Sequence, residues 1–376
     1  MVACCRSLSQ VRHLPGVDYI EEEGFAVGDQ DDTILPWHVD RIDQKFLPLD
    51  FNYSPIGDGR GVDVYILDSG INYDHEEFQF RAKYGGYDPV DEYAINLQNE
   101  RNYQRRYGRD CHGHGTHVAS LCGGKTFGSA KKVNIYSIRV LECSNAAPWS
   151  VVIDGLDYVS GVVPERGRPA IVSMSLSGFY HRMVNEVVER LISEGITVIT
   201  VAGNGNADSC GRSPGSSDSV ITVAASSSSD GLYRSTNYGF CVDVFAPGSR
   251  VLAADMNCTR CSKYLSGTSM AAPIVSGIAA IHLSRQPRLS PAAVKEKLIS
   301  DSVSNVLVYD EEIIPQSYWA RTKNRLVQLQ GNVSLVPIPR PPSFFNVPHV
   351  LINKAERPGH KAKMVLAKLP CVPDEV

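Results

Sequence analysis

Three short stretches hold residue types that could share one reaction. Leu265-Ser266-Gly267-Thr268-Ser269-Met270-Ala271-Ala272-Pro273 places a hydroxyl just before an apolar run, Ile274 to Leu283, that reads as a buried helix. A helix start offers unpaired N–H groups and the positive end of the peptide dipoles, so negative charge developing near Ser269 would be stabilised. A serine there also serves as an ordinary N-cap. Val62-Asp63-Val64-Tyr65-Ile66-Leu67-Asp68-Ser69-Gly70 is a β-branched apolar run ending in a carboxylate and a turn. Ligands and chemistry collect at the C-terminal ends of strands in α/β proteins. A strand-end carboxylate satisfied by its neighbours is the plainer alternative for Asp68. Cys111-His112-Gly113-His114-Gly115-Thr116-His117-Val118-Ala119-Ser120 enters a small-residue helix through glycines and carries three histidines.

A serine hydroxyl is a poor nucleophile at neutral pH and needs a base. Asp, His and Ser in that chain order are one known solution, and subtilisin has that order. With all three stretches in order and Gly-Thr before the serine, the chain resembles the subtilisin-like serine proteases. The resemblance is closest to the proteinase K branch and, within it, to the subtilisin/kexin type 9 proprotein convertases. It runs from Pro15 to Gln330.

The resemblance implies a self-cleaving zymogen of a serine endopeptidase, acting on peptide or protein substrates and on its own propeptide. It implies His114 as the base, at the histidine position of the family's His-Gly-Thr-His motif. His112 and His117 compete for that role, but His117, three residues along the same helix, reads as a packing or hydrogen-bonding residue. A zinc set of His112, His114 and His117 with Cys111 uses suitable ligand types. Residues two apart on a helix do not share a face, and such a set leaves Ser269 and Asp68 without a role. Asp68 would accept a hydrogen bond from the other imidazole nitrogen and fix its tautomer.

A tetrahedral intermediate needs donors aimed at its oxyanion. The amide of Asn204 suits that task and matches the family's oxyanion asparagine, with the Ser269 N–H as second donor. Asn204 also reads as a left-handed turn residue in Gly203-Asn204-Gly205-Asn206. By the same resemblance, substrate backbone would pair with the edge Ser175-Leu176-Ser177-Gly178, and Gly178 and Gly203 would leave the first specificity pocket open. No acidic cluster is assignable to that pocket, so cleavage after basic pairs is not inferred.

These side chains need a scaffold, and the pattern supplies one. Strand-like runs at 133–141, 170–176 and 196–201 alternate with helical patterns at about 151–162 and 182–193. Met183, Val184, Val187, Val188 and Leu191 recur at helical spacing. Such alternation indicates an α/β fold: a subtilisin-like three-layer domain with a mostly parallel sheet covered by helices on both faces. Ser290-Pro291 gives the helix at 290–300 a cap and a first-position proline. The expected organisation is a propeptide remnant over 1–30, a catalytic domain over 31–330 and a flexible Pro-rich tail over 331–376. Pro15–Glu23 reads as the last strand of the propeptide, with a processing cut near Gln30; an ordinary N-terminal strand and loop is the alternative.

The chain has 376 residues, 43% of them hydrophobic, enough for one large domain with appendages. Its 37 basic residues against 41 acidic ones give no support for nucleic-acid binding. The basic cluster Arg105, Arg106 and Arg109 reads as a solvated face. No apolar run approaches the roughly 18 residues of a membrane span. The start, Met1-Val2-Ala3-Cys4-Cys5-Arg6, lacks the apolar stretch of a signal peptide. The expectation is an incomplete N-terminus on a secreted protein, because the resemblance pairs Cys111–Cys143, Cys210–Cys241 and Cys258–Cys261 as disulfides. Reduced structural cysteines are the alternative; Cys4, Cys5, Cys122 and Cys371 have no matched partner. Glycosylation sequons at Asn52, Asn257 and Asn332 point the same way. No cofactor is required. A structural calcium is suggested by resemblance, with Asp243 and backbone carbonyls near Asp218 and Val220 as ligands. The alternative function is a self-cleaving protein that keeps its propeptide and acts as a secreted binding partner.

Overall fold

The computed structural model describes residues 17–22, 35–89, 107–329, 349–354 and 363–368. The chain divides into two units, Ile34–Val333 and the paired ends Met1–Thr33 with Ser334–Val376.

The larger unit is built on a nine-stranded sheet. Its spatial order is Val303–Ser304, Arg325–Leu326, Val244–Pro247, Ile221–Ser226, Thr197–Val201, Ala170–Met174, Asp63–Asp68, Asn134–Arg139 and Ala82–Tyr84. All neighbours pair in parallel except the two-residue strand Val303–Ser304 at one edge. Alternation along Asp63–Asp68 feeds both faces: Val64 and Ile66 join one core, Tyr65 and Leu67 the other. The first core packs the helices His114–Gly123 and Thr268–Arg285 through Val118, Leu121, Ile274, Val275 and Ile278. The second packs the helices Trp149–Arg166 and Arg182–Ser193 through Val152, Leu156, Val188 and Leu191. This is the three-layer arrangement that the alternating pattern calls for.

The helix of Ser269 is buried on every side from Met270 to Leu283, which explains why its sequence shows no polar face. The helix Pro291–Asp301 starts as expected, with the Ser290 hydroxyl accepting the Ala293 N–H at 3.2 Å. Strands Ile221–Ser226 and Val244–Pro247, and the hairpin of Val251–Ala254 with Ser262–Leu265, are not marked by the sequence pattern. Each strand is only four to six residues long, so periodicity has little length in which to show.

The smaller unit is an antiparallel sheet in which Val17–Glu22 pairs with His349–Lys354, and His349–Lys354 with Lys363–Lys368. The latter two strands fall within the stretch over 331–376 that the sequence reads as a flexible Pro-rich tail. Proline dominates that stretch on average, but two six-residue windows are rich in strand-forming Val, Ile, Leu and Met. The cut expected near Gln30 lies outside the described residues.

Candidate active site

Asp68 is the last residue of its strand, at the C-terminal edge of the parallel sheet. His114 opens the next helix, whose N-cap is Gly113 at φ +96°. The approach is possible only without a side chain at Gly115, where a Cβ would lie 2.1 Å from the Gly70 carbonyl oxygen. The two functional groups meet: His114 Nδ1 is 2.8 Å from Asp68 Oδ1 and 3.0 Å from Oδ2. The Asp68 side chain is 1% exposed and that of His114 12%. Asp68 Oδ1 also accepts the Ser69 N–H at 2.7 Å.

Asp110 holds this corner together, and sequence reasoning missed it. Its Oδ1 accepts the His112 N–H at 3.0 Å, the Gly113 N–H at 2.7 Å and the Ser69 hydroxyl at 2.9 Å. Its Oδ2 accepts the Thr116 N–H at 2.8 Å and the Thr116 hydroxyl at 2.6 Å. Ser69 Oγ in turn accepts the Gly115 N–H at 3.0 Å. The signal was an aspartate just before a glycine-rich helix start, where a carboxylate satisfies orphan N–H groups. Burial works against the charged imidazole of His114. The Asp68 carboxylate, by charge and hydrogen bond, and then Asp110 outweigh it and raise its pKa, with Lys263 opposing.

Ser269 is the second residue of its helix, so its N–H has no intrahelical acceptor. The residue before the helix is Gly267, which places the serine inside the first turn and not at the cap. Ser269 Oγ donates to the Ser175 carbonyl oxygen at 3.3 Å, and the Ser175 hydroxyl donates to the Ser269 carbonyl oxygen at 2.9 Å. Asn204 lies on the adjacent loop. Its Oδ1 accepts the Thr268 N–H at 2.9 Å and the Thr268 hydroxyl at 3.1 Å. Pinning the oxygen to the helix start leaves the amide Nδ2 as the donor beside Ser269.

His114, Ser175, Ser177, Gly178, Asn204 and Ser269 line one cleft of about 360 Å³, with an apolar flank of Leu141, Ala146, Ala147, Trp149, Val152 and Leu176. Ser175 is buried and braces the serine helix, Leu176 is half-buried and Ser177 exposed. Gly178 faces Trp149, whose ring a Cβ would approach to 2.6 Å, and it pairs with Ser213. Gly203 directly precedes Asn204 on the same loop. Its φ of +103° and the 2.6 Å that would separate a Cβ from Asn237 Nδ2 account for the glycine.

The competing readings of the histidines fall to geometry. His117 is buried with Nε2 3.0 Å from the Lys263 carbonyl oxygen, and burial lowers its pKa to about 3. His112 is exposed, its ring 6.3 Å from that of His114. Cys111 is bonded to Cys143, which removes it from any zinc set. Among the described residues no group of His, Cys, Asp or Glu is placed to hold a metal. Asp243 and the carbonyls of Asp218 and Val220 do converge, but on the Lys295 ammonium. Cys210–Cys241 and Cys258–Cys261 are also disulfides. Cys122 is a buried thiol that desolvation pushes up to about 12, while Cys4, Cys5 and Cys371 lie outside the described residues. Arg109 pairs with Asp74 at 2.6 Å; Arg105 and Arg106 lie outside the described residues.

Comparison with known proteins gives the family. Residues 59–332 match the model of the Subtilase family. The chain is 39% identical over 299 residues to the "Alkaline serine exoprotease A" of Vibrio alginolyticus, covering 78% of this chain and 53% of that protein. It is 38% identical over 306 residues to the "Extracellular serine proteinase" of a Thermus species, covering 80% and 70% respectively. The chain thus spans about half the length of the Vibrio relative. A crystal structure of a cold-adapted subtilisin-like serine proteinase superposes with a TM-score of 0.70 at 38% identity, covering 80% of this chain and all of that one. With a three-layer fold, a matching family model over most of the chain and relatives of this identity, the chain belongs to the subtilase family.

Proposed function

We propose that the protein is a secreted serine endopeptidase, made as a self-cleaving zymogen. The observation that carries this reading is the open cleft in which His114, paired to Asp68, lies with Ser269 and Asn204. Ser269 Oγ attacks a peptide carbonyl, and His114 Nε2 takes its proton and passes it to the leaving amine. Asp68 holds Nδ1–H and balances the imidazolium. Asn204 Nδ2 and the Ser269 N–H receive the oxyanion. No metal or redox step enters this chemistry.

The substrate would add as an extended strand along 175–178. Strand addition reads backbone and needs no chain terminus, which favours internal bonds. The apolar flank formed by Leu141, Trp149, Val152 and Leu176 suits an apolar substrate side chain, and no acidic residue lines the cleft among the described residues. The extracellular designation of the Thermus relative and the three disulfides support secretion. Val17–Glu22 is read as the last strand of the propeptide. Within the family, the proteinase K branch and the type 9 proprotein convertases are the groups its motifs resemble most, the Cys258-Thr259-Arg260-Cys261 bridge among them. That bridge also favours a second reading, in which the triad cuts once and the protein then works as a binder.

Labelling with a fluorophosphonate probe tests the nucleophile: wild type is labelled and Ser269→Ala is not. Equal labelling of both would remove Ser269 from its role. Full-length protein on denatured casein separates the two readings. Release of the propeptide with casein hydrolysis that Ser269→Ala abolishes supports the protease. A propeptide that stays bound, with no turnover, supports the binder.

A further inference from the structure

The oxygens suggested as calcium ligands surround an ammonium group. Lys295 Nζ is 2.8 Å from the Asp218 carbonyl oxygen, 2.7 Å from the Val220 carbonyl oxygen and 2.8 Å from Asp243 Oδ2. An ammonium has three N–H donors and no acceptor, so these three oxygens use it fully. The side chains are 18% exposed for Lys295 and 5% for Asp243. Asp243 Oδ2 also accepts the Thr222 N–H at 3.0 Å, and Lys323 Nζ stands 3.5 Å from Oδ1.

Calcium takes roughly six to eight oxygens at about 2.3–2.6 Å. Here one carboxylate and two carbonyls point at a centre already filled by positive charge. A divalent ion at that centre would lie against the ammonium, and like charges at such range in a partly buried site repel strongly. The residues present do not fit the ion.

We propose that Lys295 is a built-in cation, tethered to the chain, which gathers through charged hydrogen bonds the three oxygens that a bound calcium would otherwise gather. The elements it joins are distant in sequence. Lys295 lies on the helix Pro291–Asp301, the two carbonyls on the loop before Ile221–Ser226, and Asp243 just before Val244–Pro247. The same loop leads back to Arg212–Ser213, which pairs with Gly178–Phe179 beside the cleft. A coordinated ion leaves when it is diluted or chelated, and its stabilisation goes with it by mass action. A tethered ammonium stays at any metal concentration. Removing it leaves Asp243 buried beside Lys323 alone and two carbonyls without their donor, the costly way to break a buried pair.

Thermal unfolding of the full-length chain in EDTA and in millimolar calcium chloride tests this. The wild-type midpoint is expected to be the same in both. Lys295→Ala is expected to unfold roughly 5–10 °C lower in EDTA. Lys295→Met keeps the aliphatic stem, so an equal fall there assigns the effect to the charge. A wild-type midpoint that rises with calcium, with the rise abolished by Asp243→Asn, would overturn the proposal by showing a metal site. Midpoints for both Lys295 variants equal to wild type would overturn it by showing that the ammonium holds nothing. Should neither Lys295 variant fold, the wild-type response to calcium and EDTA still decides between a metal site and a metal-free one.

Discussion

Asp68 ends its strand and Asp243 stands just before one, so in a parallel sheet they lie at opposite edges. Each is a carboxylate almost wholly buried, and each faces a nitrogen base at 2.8 Å. At Asp243 the ammonium spends all three donors on three acceptors. At Asp68 the matching is left incomplete. His114 gives one nitrogen to the carboxylate, and its Nε2 has no hydrogen bond to a described residue. Among the described residues, the Asn204 amide is fixed by its oxygen only. Chemistry needs such unused valence, because the substrate must complete it; an anchor needs none. The difference also separates activity from stability, which gives it consequences.

The largest expected effect comes from measuring Ser269→Ala and Lys295→Ala side by side. Ser269→Ala should lower turnover by about 10⁶-fold, the scale seen when a subtilisin loses the same group. Its unfolding midpoint should stay within about 2 °C of wild type, since a small, partly exposed hydroxyl is removed. Lys295→Ala should lose midpoint and keep turnover at temperatures where it is folded. A large stability loss in Ser269→Ala would blur the contrast.

Asn204→Ala should come next, with kcat down about 10²–10³-fold and KM for a chromogenic peptide little changed. A donor that acts only on the oxyanion has this signature. A loss confined to KM would instead place Asn204 in ground-state binding.

Asp110→Asn should act through the pH profile. His114 must be neutral to accept the proton, so activity rises through its folded-state pKa. Asp110 helps raise that pKa, and replacing it with a neutral amide should move the acid limb to lower pH. The carboxyl-to-amide change keeps the volume, and Asp110→Glu should partly keep the limb where wild type has it. A fall in activity with an unmoved acid limb would leave Asp110 a structural cap only.

The sequence makes the open site more legible than the closed one. Asp68, His114 and Ser269 each sit where a local pattern changes, at a strand end or a helix start, and glycines mark the spots. Lys295 leaves no such mark. It bonds carbonyls 75 and 77 residues away, and every residue carries a carbonyl. Asp110 was half-legible: its position before the helix showed, while its bond to Ser69, 41 residues distant, did not. Glycine at 203 is legible as a special position, but space for a substrate and a positive φ select the same residue, so its type alone does not separate the two. Strands Ile221–Ser226 and Val244–Pro247 were silent because four to six buried residues carry no alternation when both faces are covered.

The smallest effect concerns what burial does to a histidine that has no carboxylate beside it. His38 is fully buried, with Nε2 2.9 Å from the Phe127 carbonyl oxygen. Burial lowers its pKa to about 4, against the pull of that carbonyl and with help from the Lys131 charge. His117 follows it to about 3, and His282 falls to about 4 even with Asp301 Oδ2 3.6 Å from its Nε2, because burial outweighs that one carboxylate. His114 is the exception because Asp68 and Asp110 reverse the sign. The unfolded chain protonates His38 near 6.5, so between pH 6.5 and about 4 only the unfolded state takes up that proton. Stability is full above that window and falls with pH inside it, by about 1.4 kcal/mol per unit for each such group. Asp40 and Asp43, raised to about 6 by burial, work the other way, because the fold binds their protons first. The slope of the whole protein is therefore a difference, and a single replacement isolates one part of it. His38→Gln keeps an amide donor for the Phe127 carbonyl and cannot titrate. It should unfold below wild type at pH 7, and the gap should narrow by several degrees as pH falls to 4.5. Parallel midpoint curves for the two proteins would mean that His38 is charged in the fold, and that burial is not what separates it from His114.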